Sequence, residues 1–478
     1  VKTAQQYIDE TPQWADGTAA PASPLTKMQL RIFVLACAGK LFEGMVVFMT
    51  GVALPLISRE FNLGAAEKGV VTAASLAGIL VGASALGGLA DFAGRRRMFI
   101  IEMILFVLFL VGLSFSPGFE VLVICLFGAG LALGCDYPTA HLVISESMPT
   151  SSRGRLVLTA CAFQAVGAFL GTVVGFVILF ENPSVEAWRW MYAAAILPAA
   201  LVVVGRFFVT ESPQWLVSRG RVTDAEAQVL RLLDRSPRYP KSVALKPVGT
   251  EGHKPPAHYG MLFHPLHRKA TVLSSAPWFL QDLATYGIGI FTPTILAAIL
   301  GSEAKGESLS TVIHNDMLAA EGSAVMDVFF LLGILAAILL VERVGRMPLQ
   351  IFGFLGCALG LGLAALSIQP DGSHNMPLLF AGFILFYFMT NLGPNAMTYL
   401  VAGEVFPTHV RGMGAGFAAS MAKVGAVLTA FLFPFLLQEI GTVSLLYGLV
   451  AASLLGAAVT AVFAIETRGL NLETLTSH

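Results

Sequence analysis

Asp282 and Lys423 each stand inside a long apolar run, well away from its ends. An ionised side chain at the middle of a bilayer costs about 2.5–3.5 kcal/mol even on lenient insertion scales, so residues placed there mark binding sites or ion paths. Trp278 lies one helical turn before Asp282 and Tyr286 one turn after it, which puts all three on one helix face. A cation, a carboxylate and several phenol or amide donors converging at mid-depth suit a small oxyanion. Glu43 and Asp136 are further carboxylates within apolar runs. With Asp282 they are the candidate proton carriers, because a carboxylate poised by burial and by a nearby cation can exchange a proton in each cycle. The opposing reading is a buried Asp–Lys pair with no ligand; such pairs are costly and add little stability.

These side chains need membrane-crossing helices to position them. The 478 residues are 56% hydrophobic and only 12% charged, against about 25% charged in a soluble domain. A bilayer core needs about 20 apolar residues per helix. Twelve such stretches can be drawn, near 31–57, 69–90, 98–116, 120–146, 156–180, 188–210, 270–298, 323–342, 349–368, 376–402, 412–437 and 442–466. The runs are too long and too uniform for strands of a barrel. Gly78 and Gly82, and Gly167, Gly171 and Gly175, stand four apart and predict faces where backbones approach closely, as packing surfaces.

Other classes fall away. A net charge of −1 without a basic stripe excludes nucleic acid as a partner. The five cysteines lie in apolar runs without CxxC spacing and read as buried thiols, so no metal or cofactor is expected. His264 and His267, beside Pro265, read as a solvated loop pair. No Ser/His/Asp, HExxH or phosphate-loop pattern points to an enzyme.

A set of charged marks occurs twice, about 255 residues apart. The first half carries Asp91, Arg95 and Arg96, then Glu146 with Arg153, then Glu211-Ser212-Pro213. The second carries Glu342, Arg343 and Arg346, then Glu404 with Arg411, then Glu466. Two apolar halves built alike are the trace of a carrier that rocks one half against the other. The arginine-bearing loops fall on one side, which the positive-inside rule makes cytoplasmic, with both chain ends. The expected organisation is a cytoplasmic tail at 1–30, a six-helix bundle at 31–210, a cytoplasmic linker at 211–268, a second six-helix bundle at 269–466 and a tail at 467–478. In the linker, Thr223-Asp224-Ala225-Glu226 has capping-box form and predicts a short amphipathic helix, with the remainder about 236–258 as linker. Residues 299–322 read as a polar loop on the outer side.

The loop patterns Asp91…Gly94-Arg95-Arg96, Glu146…Arg153, Glu211-Ser212-Pro213-Gln214-Trp215-Leu216 and Glu404…Pro407-Thr408…Arg411 resemble those of the major facilitator superfamily, in its sugar-porter-like branch, across nearly the whole chain. That resemblance implies an all-α membrane protein of twelve helices in two pseudo-symmetric bundles. It also implies that these charges form a cytoplasmic gate of ion-pair networks that holds the halves together in the outward-facing state. Within the membrane, Trp278 to Tyr286, Asp136-Tyr137-Pro138, Gln164, Gly393-Pro394-Asn395 and Lys423 resemble the pore motifs of proton-coupled phosphate symporters and bacterial metabolite:proton symporters. The resemblance implies that Tyr137, Gln164, Trp278, Asp282, Tyr286, Asn395 and Lys423 line a central anion site.

The chain departs from that pattern in the first stretch, where Glu43 aligns with one of two expected acids and Val46 with the other. Lys40 and His141 are additions. The expectation is a proton-coupled symporter for a small anion, phosphate or an organic acid, working as a monomer in the bacterial inner membrane. The alternatives are a neutral sugar or polyol carrier and a non-transporting solute receptor. Sugar porters usually carry Gln-Gln where this chain has Gln281-Asp282, and a static receptor has no use for gating charges in both halves.

Overall fold

The computed structural model describes residues 2–10, 25–86, 89–234, 240, 242–246, 259–300, 309–369, 374–407 and 410–468. Among these, ten helical segments are long and apolar enough to cross a membrane. One of them, Arg411–Val462, is two helices joined at Gly441, whose φ of 76° and ψ of 165° leave the helical region. Arg268–Leu300 supplies another crossing helix. The twelve are α1 (Lys27–Phe61), α2 (Ala65–Val81, running on through a π turn at Gly82–Leu86), α3 (Arg95–Ser114), α4 (Phe119–Ser147), α5 (Thr150–Glu181), α6 (Ala187–Arg206), α7 (Arg268–Leu300), α8 (Leu309–Val344), α9 (Arg346–Leu366), α10 (Met376–Leu392 and Pro394–Glu404), α11 (411–440) and α12 (442–462). Large apolar side chains such as Leu108, Ile124, Leu197 and Leu339 point outward, the surface a lipid phase solvates.

The helices overrun the apolar stretches because polar end residues are capped or buried. Thr26 and Gln29 form a capping box that starts α1, and the Gln29 amide donates to Ser147 O at the end of α4 at 2.8 Å. That bond places the start of α1 on the same face as the α4–α5 turn, here termed the near face. The expected outer loop at 299–322 is largely helix: α8 begins at Leu309, and Asn315, Asp316 and Ser323 are buried against protein, so their polarity hid the helix from a hydropathy count. Residues 301–308 lie outside the described residues.

Between the bundles, Val222–Leu232 is helical and buries Ala225, Val229 and Leu232. Its cap differs from the expected box: Arg221 is the capping residue, bonded to Asp224 at 2.7 Å, and Thr223 lies within the first turn. The turn at Gly220, with φ of 74°, starts the helix two residues early. Most of 236–258 lies outside the described residues. In the N-terminal segment, Ala4–Asp9 is a docked helix, and Asp9 accepts from Thr150 N at 2.7 Å. His264 is exposed, whereas His267 is buried at the head of α7.

Within each half the helices pair in the same way. α1 packs on α5 and α2 on α4; α7 packs on the α11–α12 segment and α8 on α10. The α1–α5 contact is close enough to exclude any side chain: a Cβ at Gly44 would stand 2.0 Å from Gln164 O, and one at Gly167 1.9 Å from Leu41 O. The four-residue glycine spacing is thus packing inside the first half. Between halves, α1 meets α7, α2 meets α11 and α5 meets α8. These seams tighten away from the near face. A Cβ at Gly51 would meet Ile290 O at 2.2 Å, one at Gly69 would meet Phe431 O at 2.2 Å, and Thr72 donates to Ala430 O at 2.7 Å. The far face is closed.

Gly167→Leu forces a branched side chain into the Leu41 carbonyl and is expected to lower stability by about 1–3 kcal/mol or more. Gly416→Ala, where a Cβ meets nothing within 4 Å, serves as the neutral control. Thermal unfolding of the two purified variants measures the difference.

Candidate functional site

The apolar interior forces its ionisable groups to find one another. Lys40 and Glu43 lie one turn apart on α1, and the Lys40 ammonium donates to Glu43 Oε2 at 2.5 Å. The other oxygen of Glu43 lies 3.3 Å from Lys423 Nζ on α11. Lys423 also reaches Asp282 Oδ2 on α7 at 3.3 Å and donates to the Tyr286 hydroxyl at 2.8 Å. Charges alternate along this chain, Lys40 to Glu43 to Lys423 to Asp282, and it crosses from one half to the other. Two ammoniums face two carboxylates, so the chain is neutral when all four are ionised. Burial leaves little water to screen these charges, which is why each must have a counterion.

Amides and rings surround the chain. Gln164 of α5 donates to the Tyr286 hydroxyl at 2.8 Å, a second bond between halves. Gln281 donates to Asn395 Oδ1 at 3.2 Å, while its own Oε1 has no hydrogen-bond partner. Tyr399 of α10 stands edge-on to both Tyr137 and Trp278, with ring centroids 6.1 and 6.0 Å away. Lys40 lies over the Tyr137 ring at 4.0 Å from its centroid, a cation–π contact. The break in α10 at Gly393 opens a helix N-terminus at this depth, with Asn395 in its first turn.

All seven residues expected at a central site, Tyr137, Gln164, Trp278, Asp282, Tyr286, Asn395 and Lys423, line one cavity of about 480 Å³ counted to its open mouth. A second cavity of about 400 Å³ shares Lys40, Tyr137, Cys161 and Tyr399 with it and continues past His141 to Ile144 and Val157. Those last residues lie close to the near-face ends of α4 and α5, so the site opens towards the near face.

Asp136, expected among the proton carriers, lines the second cavity with Lys40 and Glu43. Its carboxylate is ion-paired with Arg206, which is fully buried, stacks on the Phe99 ring at 3.5 Å and donates to Phe99 O at 2.6 Å. Glu102, also buried, accepts from Thr139 beside this pair at 2.8 Å. Arg206 lies inside the apolar stretch drawn near 188–210 and was not singled out from the sequence. Tyr399 was missed too, although it follows Asn395 by one helical turn and so shares its face.

The near-face charges form two matching networks. Arg95 binds both oxygens of Glu146 at 3.1 Å, and Arg346 binds both oxygens of Glu404 at 3.1 and 3.2 Å. Arg346 also reaches Glu342 at 3.0 Å. Glu211 accepts from Arg96 N at 3.0 Å, and Glu466 accepts from Arg346 N and Met347 N at 3.1 and 3.0 Å. Each acid caps the first turn of α3 or α9, where the preceding Gly94 or Gly345 takes a φ of 97° or 104°. Glu146 goes to Arg95 and Glu404 to Arg346, each within its own half. Arg153 sits in the first turn of α5, its Nε without a hydrogen-bond partner, and Arg411 gives Nε to Phe406 O at 3.0 Å. The side chain of Asp91 lies outside the described residues.

Comparison with known proteins follows the same architecture. Residues 32–478 match the family described as sugar (and other) transporter. The putative metabolite transport protein YaaU of Escherichia coli is 30% identical over 445 residues, covering 92% of this chain and 93% of that protein. The major myo-inositol transporter IolT of Bacillus subtilis is 29% identical over 464 residues, covering 93% of each. The partially occluded inward-open structure of the xylose transporter XylE from E. coli shares the fold, with a TM-score of 0.74 at 19% identity over 93% of this chain and all of that one.

Two measurements probe this geometry. Arg206→Leu leaves Asp136 as a buried charge without its cation and is expected to cost about 3–5 kcal/mol, part of which the double variant with Asp136→Asn restores. At Glu466, burial raises the carboxyl pKa, but the N–H groups of Met347, Arg346 and Arg468 and the Arg346 charge outweigh it and hold the group below its ordinary value. A depressed folded pKa contributes stability above the unfolded value and loses it as pH falls through the folded one. The melting-temperature gap between the parent and Glu466→Gln should therefore be widest at neutral pH and close as pH falls below about 4.

Proposed function

The chain belongs to the family of sugar (and other) transporters in the major facilitator superfamily, and on that premise we propose that it carries a small anionic solute, phosphate or a small organic acid, together with a proton. The observation behind this reading is the alternating chain of Lys40, Glu43, Lys423 and Asp282. An anion can contact Lys423 only by displacing a carboxylate from it. Glu43 would keep Lys40, but Asp282 displaced from Lys423 would be a buried charge without a partner, which is strongly unfavourable. A proton on that carboxylate removes the penalty, so anion and proton bind together. A monoanion and one proton also cross as a neutral set, avoiding about 2.3 kcal/mol per charge for each 100 mV of membrane potential. Asp282 and Glu43, which both touch Lys423, are the coupling acids in this scheme. Asp136, paired with Arg206 at the second cavity, is the third candidate acid.

Alternating access supplies the transport step. With the near face taken as cytoplasmic from its arginine-bearing loops, the closed far-face seams and the cavity opening near Ile144 and Val157 support an inward-facing state; in this reading the carrier sits in the inner membrane with both chain ends inside. In this state the Arg95–Glu146 and Arg346–Glu404 networks lie within separate halves. They would meet across the seam when the cavity faces outward, and Glu404→Gln should raise the inward-facing fraction, read as longer label-to-label distances across the near-face mouth. A monomer suffices for the cycle, since every residue in the scheme comes from one chain.

A neutral sugar or polyol is the second reading. Gln164, Gln281 and Asn395 present amides that suit hydroxyl groups, and IolT and XylE are named as myo-inositol and xylose transporters. One titration separates the two. If an anion is the partner of Lys423, Lys423→Ala lowers affinity for phosphate or an organic acid by about 1.5–3 kcal/mol, roughly ten- to a hundred-fold. If Lys423 only neutralises the acids, Lys423→Ala combined with Asp282→Asn restores binding, and the anion assignment fails. Asp282→Asn alone should abolish accumulation driven by a proton gradient while leaving counterflow of labelled solute measurable.

A further inference from the structure

Halfway along α8 lies a carboxyl group that the central site does not use. Asp327 is 1% exposed and sits in the seam between the halves, where Thr172 of α5 donates to its Oδ2 at 2.7 Å. Its Oδ1 has no hydrogen-bond partner, and among the described residues no Lys, Arg or His pairs with it. Of the helices packed against α8, α5 brings the Thr172 hydroxyl and α10 the Tyr387 phenol, which donates to Thr292 of α7 at 3.0 Å. Among the described residues, α1, α7 and α9 bring no charged side chain against it. Phe330, one turn on, meets Phe48 of α1 at 5.9 Å and Tyr387 at 5.9 Å, so the surroundings are aromatic and dry. Thr172 lies eight residues beyond Gln164 on α5, about 12 Å from the central site towards the far face at 1.5 Å per residue.

Such a group has one stable form here. An ionised carboxylate in an apolar seam needs a cation or several N–H donors, and a single hydroxyl supplies neither. The neutral acid fits, accepting from Thr172. The same seam must part when the far face opens, and water then reaches Asp327 and favours its ionised form. We propose that Asp327 is a proton-operated latch of the far-face gate, able to close against Thr172 only when it carries a proton taken from the far side. This rests on the alternating-access reading above but not on the identity of the solute. The latch differs from the coupling acids in what it does with its proton. While the cavity faces the near side, Asp327 stays sealed beneath the closed gate, so its proton returns to the side it came from when the gate reopens. It sets the readiness of the carrier to close, and Glu43 or Asp282 carries the transported proton.

Linkage fixes the sign. The closed state binds one more proton at this group than the open state, so the closed-to-open ratio falls by up to tenfold per pH unit once the pH exceeds the open-state pKa. The test uses the full-length protein in lipid nanodiscs without solute. Spin labels at Gly64 and Glu439, at the far-face ends of the two halves, report distance from pH 5 to pH 9. The parent should shift from short to long distances as pH rises. Asp327→Asn, neutral and still able to accept from Thr172, should stay short throughout; if it shifts with pH as the parent does, the latch is overturned. Thr172→Val removes the bond from the opposite half without touching the acid. It should lengthen distances at every pH and keep the pH dependence, and an unchanged distribution overturns the proposal even if the Asp327 variant does not fold. Failure of the anion assignment would appear elsewhere, as unchanged anion affinity in Lys423→Ala, and would leave this distance series intact.

Discussion

A charge at the centre of an apolar slab must have a counterion within reach, and this protein supplies one inside each half, Glu43 for Lys40 and Asp282 for Lys423, and a further contact across the seam between them. Lys423 belongs to the second half, and one of its carboxylates, Glu43, belongs to the first. Tyr286 and Gln164 repeat the crossing with a neutral hydrogen bond. Each half keeps a neutral pair when the Glu43–Lys423 contact parts, and that contact and the Tyr286 hydrogen bonds are what couple the halves. A solute engaging these groups, as proposed above, would change which contacts join the halves.

That coupling needs rigid bodies on either side. Backbone-to-backbone contact at Gly44 and Gly167 locks α1 to α5 inside the first half, leaving no slack for side chains to reorganise. At the near face, Glu211 and Glu466 cap the first turns of α3 and α9, while Arg95 and Arg346 grip Glu146 and Glu404. The two networks match residue for residue, as expected of two bundles with one plan. Each braces the loops of its own half in the present state. The far-face seams, lined by Gly51, Gly69 and Thr172, are where the bodies touch. Motion is thereby confined to the seam, with charges near its middle and tight contacts at one end.

The twelve helices were legible because crossing a membrane demands long apolar runs, and the doubled charged marks were legible because each half needs its own loop braces. Four residues of the central site were legible for a related reason: Asp282 and Lys423 are conspicuous against apolar neighbours, and helical spacing carries Trp278 and Tyr286 onto the face of Asp282, whereas Tyr137, Gln164 and Asn395 came only from the family resemblance. Where polarity was buried against protein, the same logic failed. The first turns of α8 looked like loop because Asn315 and Asp316 are polar, and Arg206 passed unremarked inside the stretch near 188–210.

The sequence by itself therefore determined the class of protein, the number of crossings, the two-fold plan and the residue types at the site. Those follow from local rules, since lipid solvation acts on each helix separately and spacing along one helix sets its faces. Only the tertiary structure decided who pairs with whom. Asp136 lines the cavity, and helix packing delivers Arg206 to it from α6; Glu146 at the end of α4 meets Arg95 from the start of α3. Asp327 was one acid in an apolar run until α5 brought Thr172 against it from the other half. Counterion choice is a matter of a few ångströms between helices distant in sequence, and those distances are set by how backbones pack.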